Sequence, residues 1–406
     1  MRSSQKMITG KALAWLLTLV YFTSYVTRVN FAASILEVVT ATGFEKSALS
    51  VILVSQSVTY GVGQLLSGRL GDKIKPTTLI FGGLIVAVVT NLLFPALSFS
   101  VALMSVAWAI NGLAQAMMWP PMVKILVANT DDAMYGYSVV RISWGSSFGT
   151  IFVYLSAPLI IRFLGWEAVF LVCALVGVAV CVLWGLLMSR ISLSAPAAEG
   201  LSADNTSFHF PMAALFPMIF IVLGIIFQGM LRDGISSWMP SYLAEVFNMG
   251  NSASILCTVS LAIFAIICQT LSAAVYKRFF KNEVFCGFAI FSVAAAFALL
   301  MFCFYDAGKL IAILAMAMIT GCMHGINLML ITHVPKRYKK YGNISTVAGV
   351  VNSCTYVGSS ISTYGIALLS ETLGWRYTVG VWFLIALMGC VCCLVATRPW
   401  KRFMEK

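Results

Sequence analysis

Two arginines stand inside apolar stretches of this sequence, where a charged side chain is costly. Arg28 lies in YFTSYVTRVNFAAS, within an apolar run from Ala12 to Leu36, and Arg232 lies at the end of another run in the second half of the chain. A guanidinium stays protonated in proteins, and holding one at the centre of a bilayer costs at least about 3 kcal/mol. Its planar fork of N–H donors fits the oxygens of a phosphate or a carboxylate, so both positions are candidates for binding an anion.

The composition predicts an all-α integral membrane protein. The chain has 406 residues, of which 60% are hydrophobic and 10% charged, and so few polar residues could hardly cover a water-soluble fold of that size. A spanning helix needs about 20 apolar residues. About twelve such runs follow one another, at 12–36, 48–68, 77–97, 100–127, 136–161, 166–189, 212–232, 252–275, 284–305, 308–333, 343–370 and 375–397. We therefore predict 12 transmembrane helices.

The basic residues predict the orientation in the membrane. Lys and Arg gather at the ends of alternate runs, at positions 2–11, 69–75, 190, 277–281, 336–340 and 398–406. By the positive-inside rule these ends are cytoplasmic. Both termini then lie in the cytoplasm, and the expected location is the inner (plasma) membrane. The net charge of +12 thus reflects topology, and we expect no nucleic-acid partner.

An internal repeat predicts two halves. LGW at Leu164–Trp166 recurs at Leu373–Trp375, and Arg28 corresponds to Arg232 at a similar offset. We predict two pseudo-symmetric six-helix bundles, residues 1–189 and 212–406, joined by a Ser-, Ala- and Pro-containing cytoplasmic linker, residues 190–211. In transporters built from parallel repeats the substrate site lies between the repeats, so we expect the two arginines to line one cavity.

The acidic residues limit what can offset the two arginine charges. Of the 14 Asp and Glu residues, only Asp233 adjoins a deep arginine, and the others fall in loops or near the ends of runs. Adjacent residues on a helix point about 100° apart, so we expect no ion pair between Arg232 and Asp233. The guanidiniums should then bind a small anionic substrate, provided that no side-chain carboxylate holds either one. The structural alternative is that Arg28 or Arg232 caps carbonyls at broken helix ends or reaches the membrane interface.

Three other polar residues are candidates for the same site. Tyr21 and Tyr25 precede Arg28 by seven and three residues and share its helical face; they either donate to the anion or pack in the core. His324 lies in the tenth run and is either a substrate contact or a hydrogen-bonded core histidine. Proton-driven transporters generally place a titratable group in the pathway, and His324 and Asp233 are the candidates. Exchange of anions needs neither.

A charged loop follows the second run. GRLGDKIKP, residues 68–76, is similar to the cytoplasmic loop signature of the major facilitator superfamily. Gly68, Asp72 and Lys73 stand at the glycine, acid and base positions of that signature. The resemblance implies a gating clamp between helices; the alternative is a solvated loop. The second copy, VYKRFFK, has Tyr276 where the acid would stand, so we expect no second clamp.

Small residues punctuate the fifth and eleventh runs. Gly145 and Gly149 form a G-x-x-x-G pattern in the fifth run. Ser353, Gly358 and Ser359 lie in the eleventh run, which corresponds to the fifth run in the internal repeat. Such residues allow close helix approach, which we expect at the sliding interface between the halves.

No cofactor or metal site is predicted. All 11 cysteines fall within apolar runs, and the group at positions 390, 392 and 393 has no His or acidic companion nearby. The sequence shows no nucleophile–base pair and no phosphate loop, so we do not expect an enzyme. The expected partners are the anionic substrate and membrane lipid, with the protein acting as a monomer.

Several motifs together resemble the organophosphate:phosphate antiporters of the major facilitator superfamily, which include the glycerol-3-phosphate and hexose-phosphate transporters. They are YVTRVNFA at 25–32, MWPP at 118–121, LRDGISSWMPSYLAEV at 231–246 and YVGSS at 356–360. The resemblance implies the major facilitator fold and exchange of an organic phosphate for inorganic phosphate by alternating access. It also implies a substrate site that includes Arg28, Arg232, Tyr25, Trp119 and Tyr356.

The chain departs from that pattern at four positions. Gln64 replaces a second-run lysine of the glycerol-3-phosphate transporter, Ser146 a fifth-run histidine, His324 a tenth-run tyrosine and Ser237 a seventh-run acid. Gln64 and Ser146 are therefore further candidates for substrate binding, and we expect a phosphorylated metabolite other than glycerol 3-phosphate.

Arg141, in the same run as Ser146, is either a replacement cation or reaches towards the cytoplasmic face. Two other functions stay open. One is a proton- or sodium-coupled symporter of organic carboxylates, and the other is a transporter-like membrane sensor of a sugar phosphate.

Overall fold

The described chain is almost entirely helical. A computed structural model describes residues 6–7, 9–188, 191–192, 212–306, 308–337 and 344–405. Two short strands, β1 (Lys6–Met7) and β2 (Ile191–Ser192), pair in parallel. The predicted linker, residues 190–211, lies outside the described residues except at β2.

Among the described residues, seven helices precede β2 and eight follow it. The first seven are α1 (Gly10–Thr42), α2 (Lys46–Lys73), α3 (Pro76–Leu93), α4 (Val101–Ala116), α5 (Trp119–Asn129), α6 (Asp132–Leu164) and α7 (Glu167–Met188). The eight that follow are α8 (Met212–Phe247), α9 (Asn251–Cys257), α10 (Val259–Phe279), α11 (Glu283–Cys303), α12 (Lys309–Ile326), α13 (Val334–Lys336), α14 (Ile344–Thr372) and α15 (Trp375–Met404). A π-helical segment, Asn327–His333, continues α12.

Ten helical segments among the described residues are long and apolar enough to cross a membrane. In three of them shorter helices run on as one span: Val101–Leu126, Asn251–Phe279 and Lys309–His333. Together with the more polar α2 and α14, the long helical segments reach the predicted twelve. Large apolar side chains cover the outer faces of these helices; on α7, Leu175 is 58% exposed and Leu186 is 55% exposed. Such surfaces suit lipid, and the prediction of an all-α membrane protein is confirmed.

The repeated LGW motif has the same structural role in both copies. Gly165 separates α6 from α7 with φ of 87°, and Gly374 separates α14 from α15 with φ of 81°. Residues with a Cβ rarely adopt a positive φ. Glycine at both positions therefore lets one helix end and the next begin directly after it.

Contacts between Cα atoms divide the chain into two compact units. The first contains α1, α2 from Val62 onwards and α3–α7; the second contains α2 up to Gly61 and α8–α15. The division falls inside α2, so this helix contributes one segment to each unit. The half boundaries at residues 189 and 212 stay a prediction.

Glycines allow close helix approach in each unit. A Cβ on Gly145 would lie 2.5 Å from the carbonyl oxygen of Thr18, so α6 packs backbone to backbone on α1 in the first unit. In the second unit, a Cβ on Gly358 would overlap the carbonyl of Ile226, which packs α14 on α8. The expectation that Gly145 and Gly149 serve a sliding interface between the halves is wrong, because they join two helices of the same unit.

Candidate functional site

Arg28 ends a row of aromatic side chains in the first unit. Its Cζ lies 5.6 Å from the centroid of the Tyr25 ring. The Tyr25 and Tyr21 centroids are 5.2 Å apart, and so are those of Tyr21 and Trp119. The three- and seven-residue spacing places both tyrosines on the face of α1 that carries Arg28, and the MWPP turn that begins α5 brings Trp119 to the same row. The structure therefore gathers four of the predicted site residues.

A network of buried amides fixes α1 beside Arg28. The side-chain amide of Asn91 donates to the carbonyl oxygen of Thr27 at 2.9 Å, and that of Asn111 donates to the same oxygen at 3.4 Å. The Gln115 amide donates to the Thr27 hydroxyl at 3.0 Å. The three amide side chains are at most 1% exposed. Sequence reasoning missed them, although three amide residues inside apolar runs are a signal, because buried polar groups need partners.

Arg232 in the second unit is held by its neighbour. Its Nε and Nη2 donate to the two carboxylate oxygens of Asp233 at 2.6 and 2.8 Å. The two side chains are 14% and 26% exposed. The expectation that helical geometry keeps them apart is wrong: the Cβ vectors do diverge, but four rotatable bonds let the guanidinium swing back to the adjacent carboxylate. The condition that no carboxylate holds either arginine is therefore not met at Arg232.

His324 on α12 and Gln228 on α8 lie near this ion pair. His324, half-buried on α12, lies close enough to Arg232 and Asp233 to feel the charge of both. Gln228 precedes Arg232 by one turn on α8 and donates to the carbonyl oxygen of Met323 at 3.1 Å, next to His324. The Gln228 Oε1 is buried and has no hydrogen-bond partner among the described residues. Gln228, which the sequence analysis did not select, thus ties α8 to α12 beside the pair.

Tyr356 packs against α2 within the second unit. Its ring centroid is 4.6 Å from that of Tyr60, and a Cβ on Gly61 would lie 3.3 Å from its Cβ. Tyr356 is 8% exposed. A glycine at position 61 lets the two helices approach at this tyrosine.

The remaining candidates differ in their surroundings. Gln64 is buried in the first unit, and its Nε2 has no hydrogen-bond partner among the described residues. The hydroxyl of Ser146 donates to the carbonyl oxygen of Ser143 in its own helix at 2.7 Å. Gln64 therefore has an amide available to a ligand, whereas the Ser146 hydroxyl proton is already engaged.

Arg141 is enclosed by aromatic rings. Its Cζ lies 3.9 Å from the Trp144 centroid, 4.9 Å from that of Tyr137 and 5.7 Å from that of Trp15. Ring faces attract a cation, so these contacts offset its charge within α6. The spacing of Tyr137, Arg141 and Trp144 on one helix face is the signal that could have found this arrangement.

The predicted gating residues lie outside the part of the structure that describes side chains. The backbone of Gly68, Asp72 and Lys73 belongs to the last turns of α2, and their side chains are not among the described ones. Their gating role stays a prediction.

A buried acid, Glu283, lies two residues after the second copy of the loop. Arg337 donates from Nε and Nη2 to both carboxylate oxygens of Glu283, at 2.9 and 3.2 Å, and the Tyr276 hydroxyl donates to the same carboxylate at 3.5 Å. This pair involves Arg337 and none of the basic residues of VYKRFFK, so the expectation of no second clamp stays a prediction.

A further ion pair joins the start of α2 to the end of α8 in the second unit. Lys46 Nζ lies 2.8 Å from Glu245 Oε1 and 5.4 Å from the centroid of the Trp375 ring. The Trp375 indole donates to Glu245 Oε2 at 2.9 Å. No local sequence pattern links Lys46 to Glu245, which lies 199 positions further along the chain.

Comparison with known proteins identifies the family. The model of the Major Facilitator Superfamily matches residues 17–363. A probable hexose phosphate transport protein of Chlamydia muridarum is 23% identical, over 91% of this chain and 86% of its own. The glycerol-3-phosphate transporter of Bacillus subtilis is 24% identical, over 91% and 87%. Sugar phosphate exchanger 3 of Bos taurus is 22% identical, over 82% and 76%. The resemblance predicted from the motifs is confirmed.

Solved structures support the same fold. A bacterial homologue of the human lysosomal transporter Spinster, in its inward-facing and unoccupied conformation, superposes with a TM-score of 0.76 at 12% identity, over 97% of this chain and 98% of that one. A D-xylose–proton symporter superposes with a TM-score of 0.71 at 13% identity, over 95% of both chains. With a family model that matches most of the chain, ten apolar spans among the described residues and these folds, the protein belongs to the Major Facilitator Superfamily and is an integral membrane transporter.

Proposed function

We propose that this transporter exchanges a small phosphorylated organic anion, a sugar phosphate or a similar metabolite, for inorganic phosphate by alternating access. The inner membrane is its proposed location, with both termini in the cytoplasm. The observation that carries the proposal is Arg28, which lies within α1 against Tyr25 in a row that continues through Tyr21 to Trp119. A guanidinium at the end of a row of tyrosines is suited to a phosphate, whose oxygens accept several hydrogen bonds at once.

The named relatives support the same class of substrate. The relatives with names that state a substrate include a hexose phosphate transport protein, a glycerol-3-phosphate transporter and a sugar phosphate exchanger. We propose that Arg28 and Arg232 both bind the phosphoryl group, with Tyr25, Trp119, Tyr356, His324 and Gln64 around the substrate. Arg232 is ion-paired with Asp233 in the structure. We therefore propose that the substrate displaces Asp233 when it binds Arg232.

Counterflow in proteoliposomes tests the exchange. Vesicles that contain the purified protein are loaded with radiolabelled phosphate, and unlabelled phosphate or hexose 6-phosphate is added outside. We expect rapid release of label with either anion and slow release in buffer alone. Equal release with and without external anion would exclude exchange.

The ion pair in the second unit favours one alternative. Asp233 is a carboxylate within a span, and His324 lies within electrostatic reach of it; carboxylates and histidines are the groups that relay protons in transporters. A proton-coupled symporter of organic carboxylates would accumulate its substrate under an imposed pH gradient and would lose accumulation in Asp233→Asn and His324→Gln. Uptake that ignores the gradient would exclude this alternative.

A further inference from the structure

The carboxylate of Asp233 occupies the side-on edge of Arg232, one of the edges at which a guanidinium can bind two oxygens of a phosphate. The Nε and Nη2 of Arg232 form the side-on edge that binds two oxygens in parallel, and both are engaged by Asp233 at 2.6 and 2.8 Å. The pair lies inside the span Leu215–Phe247. An anion that binds this edge must first displace the carboxylate.

Because the pair has low exposure, displacing Asp233 lowers the apparent affinity for the anion. Arg232 and Asp233 are 14% and 26% exposed, so water screens their attraction less than at an open surface. An anion that binds only after the Arg232–Asp233 pair has opened has a reduced apparent affinity, because only the small fraction of molecules with an open pair can bind it. After displacement, the Asp233 charge stands close to the bound anion and repels it, which favours release.

We propose that Asp233 is an internal competitor of the substrate and determines which anions are admitted. This inference rests on the proposed function, because it concerns the anion that Arg232 binds. A monocarboxylate offers Arg232 two oxygens and one negative charge, as Asp233 does. It must also lose its translational freedom on binding, whereas Asp233 is already attached to the adjacent residue, so the monocarboxylate competes poorly. A phosphate or phosphate monoester carries up to two charges and more acceptor oxygens, and displaces Asp233. The site therefore selects phosphate-type dianions over monocarboxylates.

The test compares phosphate binding by the wild-type protein with phosphate binding by two variants, Asp233→Asn and Asp233→Ser. Titration calorimetry with inorganic phosphate should show tighter binding in both variants, by about tenfold, the scale of one charge-assisted hydrogen bond. Lactate should displace phosphate from the variants and not from the wild type. Glu405→Gln removes one carboxylate from an exposed pair with Lys401 and should change neither result.

The outcomes separate this inference from the proposed function. Wild-type binding of phosphate with unchanged or weaker binding in both variants would overturn the role of Asp233 and leave the proposed function standing. Absence of phosphate binding in the wild type and in both variants would overturn both. Binding by the variants alone would support Asp233 as a competitor.

A measurement on the wild type keeps the inference testable if the variants do not fold. Infrared difference spectra on addition of phosphate should show a shifted carboxylate stretching band, because Asp233 leaves the guanidinium. A phosphate-saturated protein without a change in its carboxylate bands would overturn the proposal.

Discussion

Arg337 binds both carboxylate oxygens of Glu283, and the two partners differ sharply in exposure: the side chain of Arg337 is 43% exposed and that of Glu283 is fully buried. This asymmetry predicts unequal mutants. Arg337→Ala leaves a buried carboxylate without its cation and should cost about 2–3 kcal/mol of unfolding free energy, slightly below the range of about 3–5 kcal/mol for a fully buried pair because Arg337 is partly exposed. Glu283→Gln keeps an acceptor and frees an arginine that can reach water, so its loss should be smaller.

Thermal unfolding in detergent measures this difference. Lys401→Ala is the control, because the Lys401–Glu405 pair is exposed and 3.8 Å long, and its loss should lower the melting temperature least. A larger loss in Glu283→Gln than in Arg337→Ala would contradict the argument from burial.

Arg28→Lys should lower phosphate exchange by about a hundredfold, since an ammonium keeps the charge but cannot donate two parallel hydrogen bonds to a phosphate. The matched control is Arg141→Lys in the same unit. A lysine there keeps its cation–aromatic contacts with Trp144 and Tyr137, and exchange should stay near the wild-type rate. Counterflow in proteoliposomes provides both rates, and normal substrate affinity in Arg28→Lys would place the anion site elsewhere.

Gly149→Ala should destabilise the first unit and weaken phosphate binding. The added Cβ would lie 2.6 Å from the carbonyl oxygen of Phe22 and 2.9 Å from the Cβ of Tyr25, so α1 must shift at the residue that contacts Arg28. Overpacking of this kind costs about 1–3 kcal/mol. Melting temperature and phosphate titration check both effects.

Gly82→Ala is the control for that prediction. Nothing lies within 4 Å of an added Cβ at Gly82 in α3, and alanine is the better helix former by about 0.5–1 kcal/mol. We expect a small rise in melting temperature and unchanged phosphate binding. Equal behaviour of the two variants would show that the contact with Tyr25 has no effect on the site.

Asn91→Ala should cost about 1–3 kcal/mol, because it leaves the buried Thr27 carbonyl and the Asn30 amide with fewer partners. The Asn30 amide donates to Asn91 Oδ1 at 2.7 Å, so Asn30→Ala and Asn91→Ala share one interaction. The double variant should therefore lose less than the two single losses together, by at least about 0.5 kcal/mol. Strict additivity in urea or thermal unfolding would show that the network does not act as a unit.

The family and the helices were accessible from the sequence because both depend on local or linear patterns. Apolar run lengths predict spans, basic clusters predict orientation, and the LGW repeat predicts two related halves. The structure shows that both copies form equivalent glycine turns, at Gly165 and Gly374. The shared face of Tyr21, Tyr25 and Arg28 follows from helical periodicity alone. Only the arrival of Trp119 beside Tyr21 required the fold of a second helix.

The partners of the charged and amide groups were decided by tertiary structure. Glu283 finds Arg337 across 54 positions, and Lys46 finds Glu245 across 199; no spacing rule relates residues so far apart. Arg232 is the instructive case, because its partner is its sequence neighbour and was still missed. Backbone periodicity fixes the direction of a Cβ, but the position of a guanidinium at the end of a long side chain is set by the low-dielectric surroundings, which make an ion pair more favourable than an open fork.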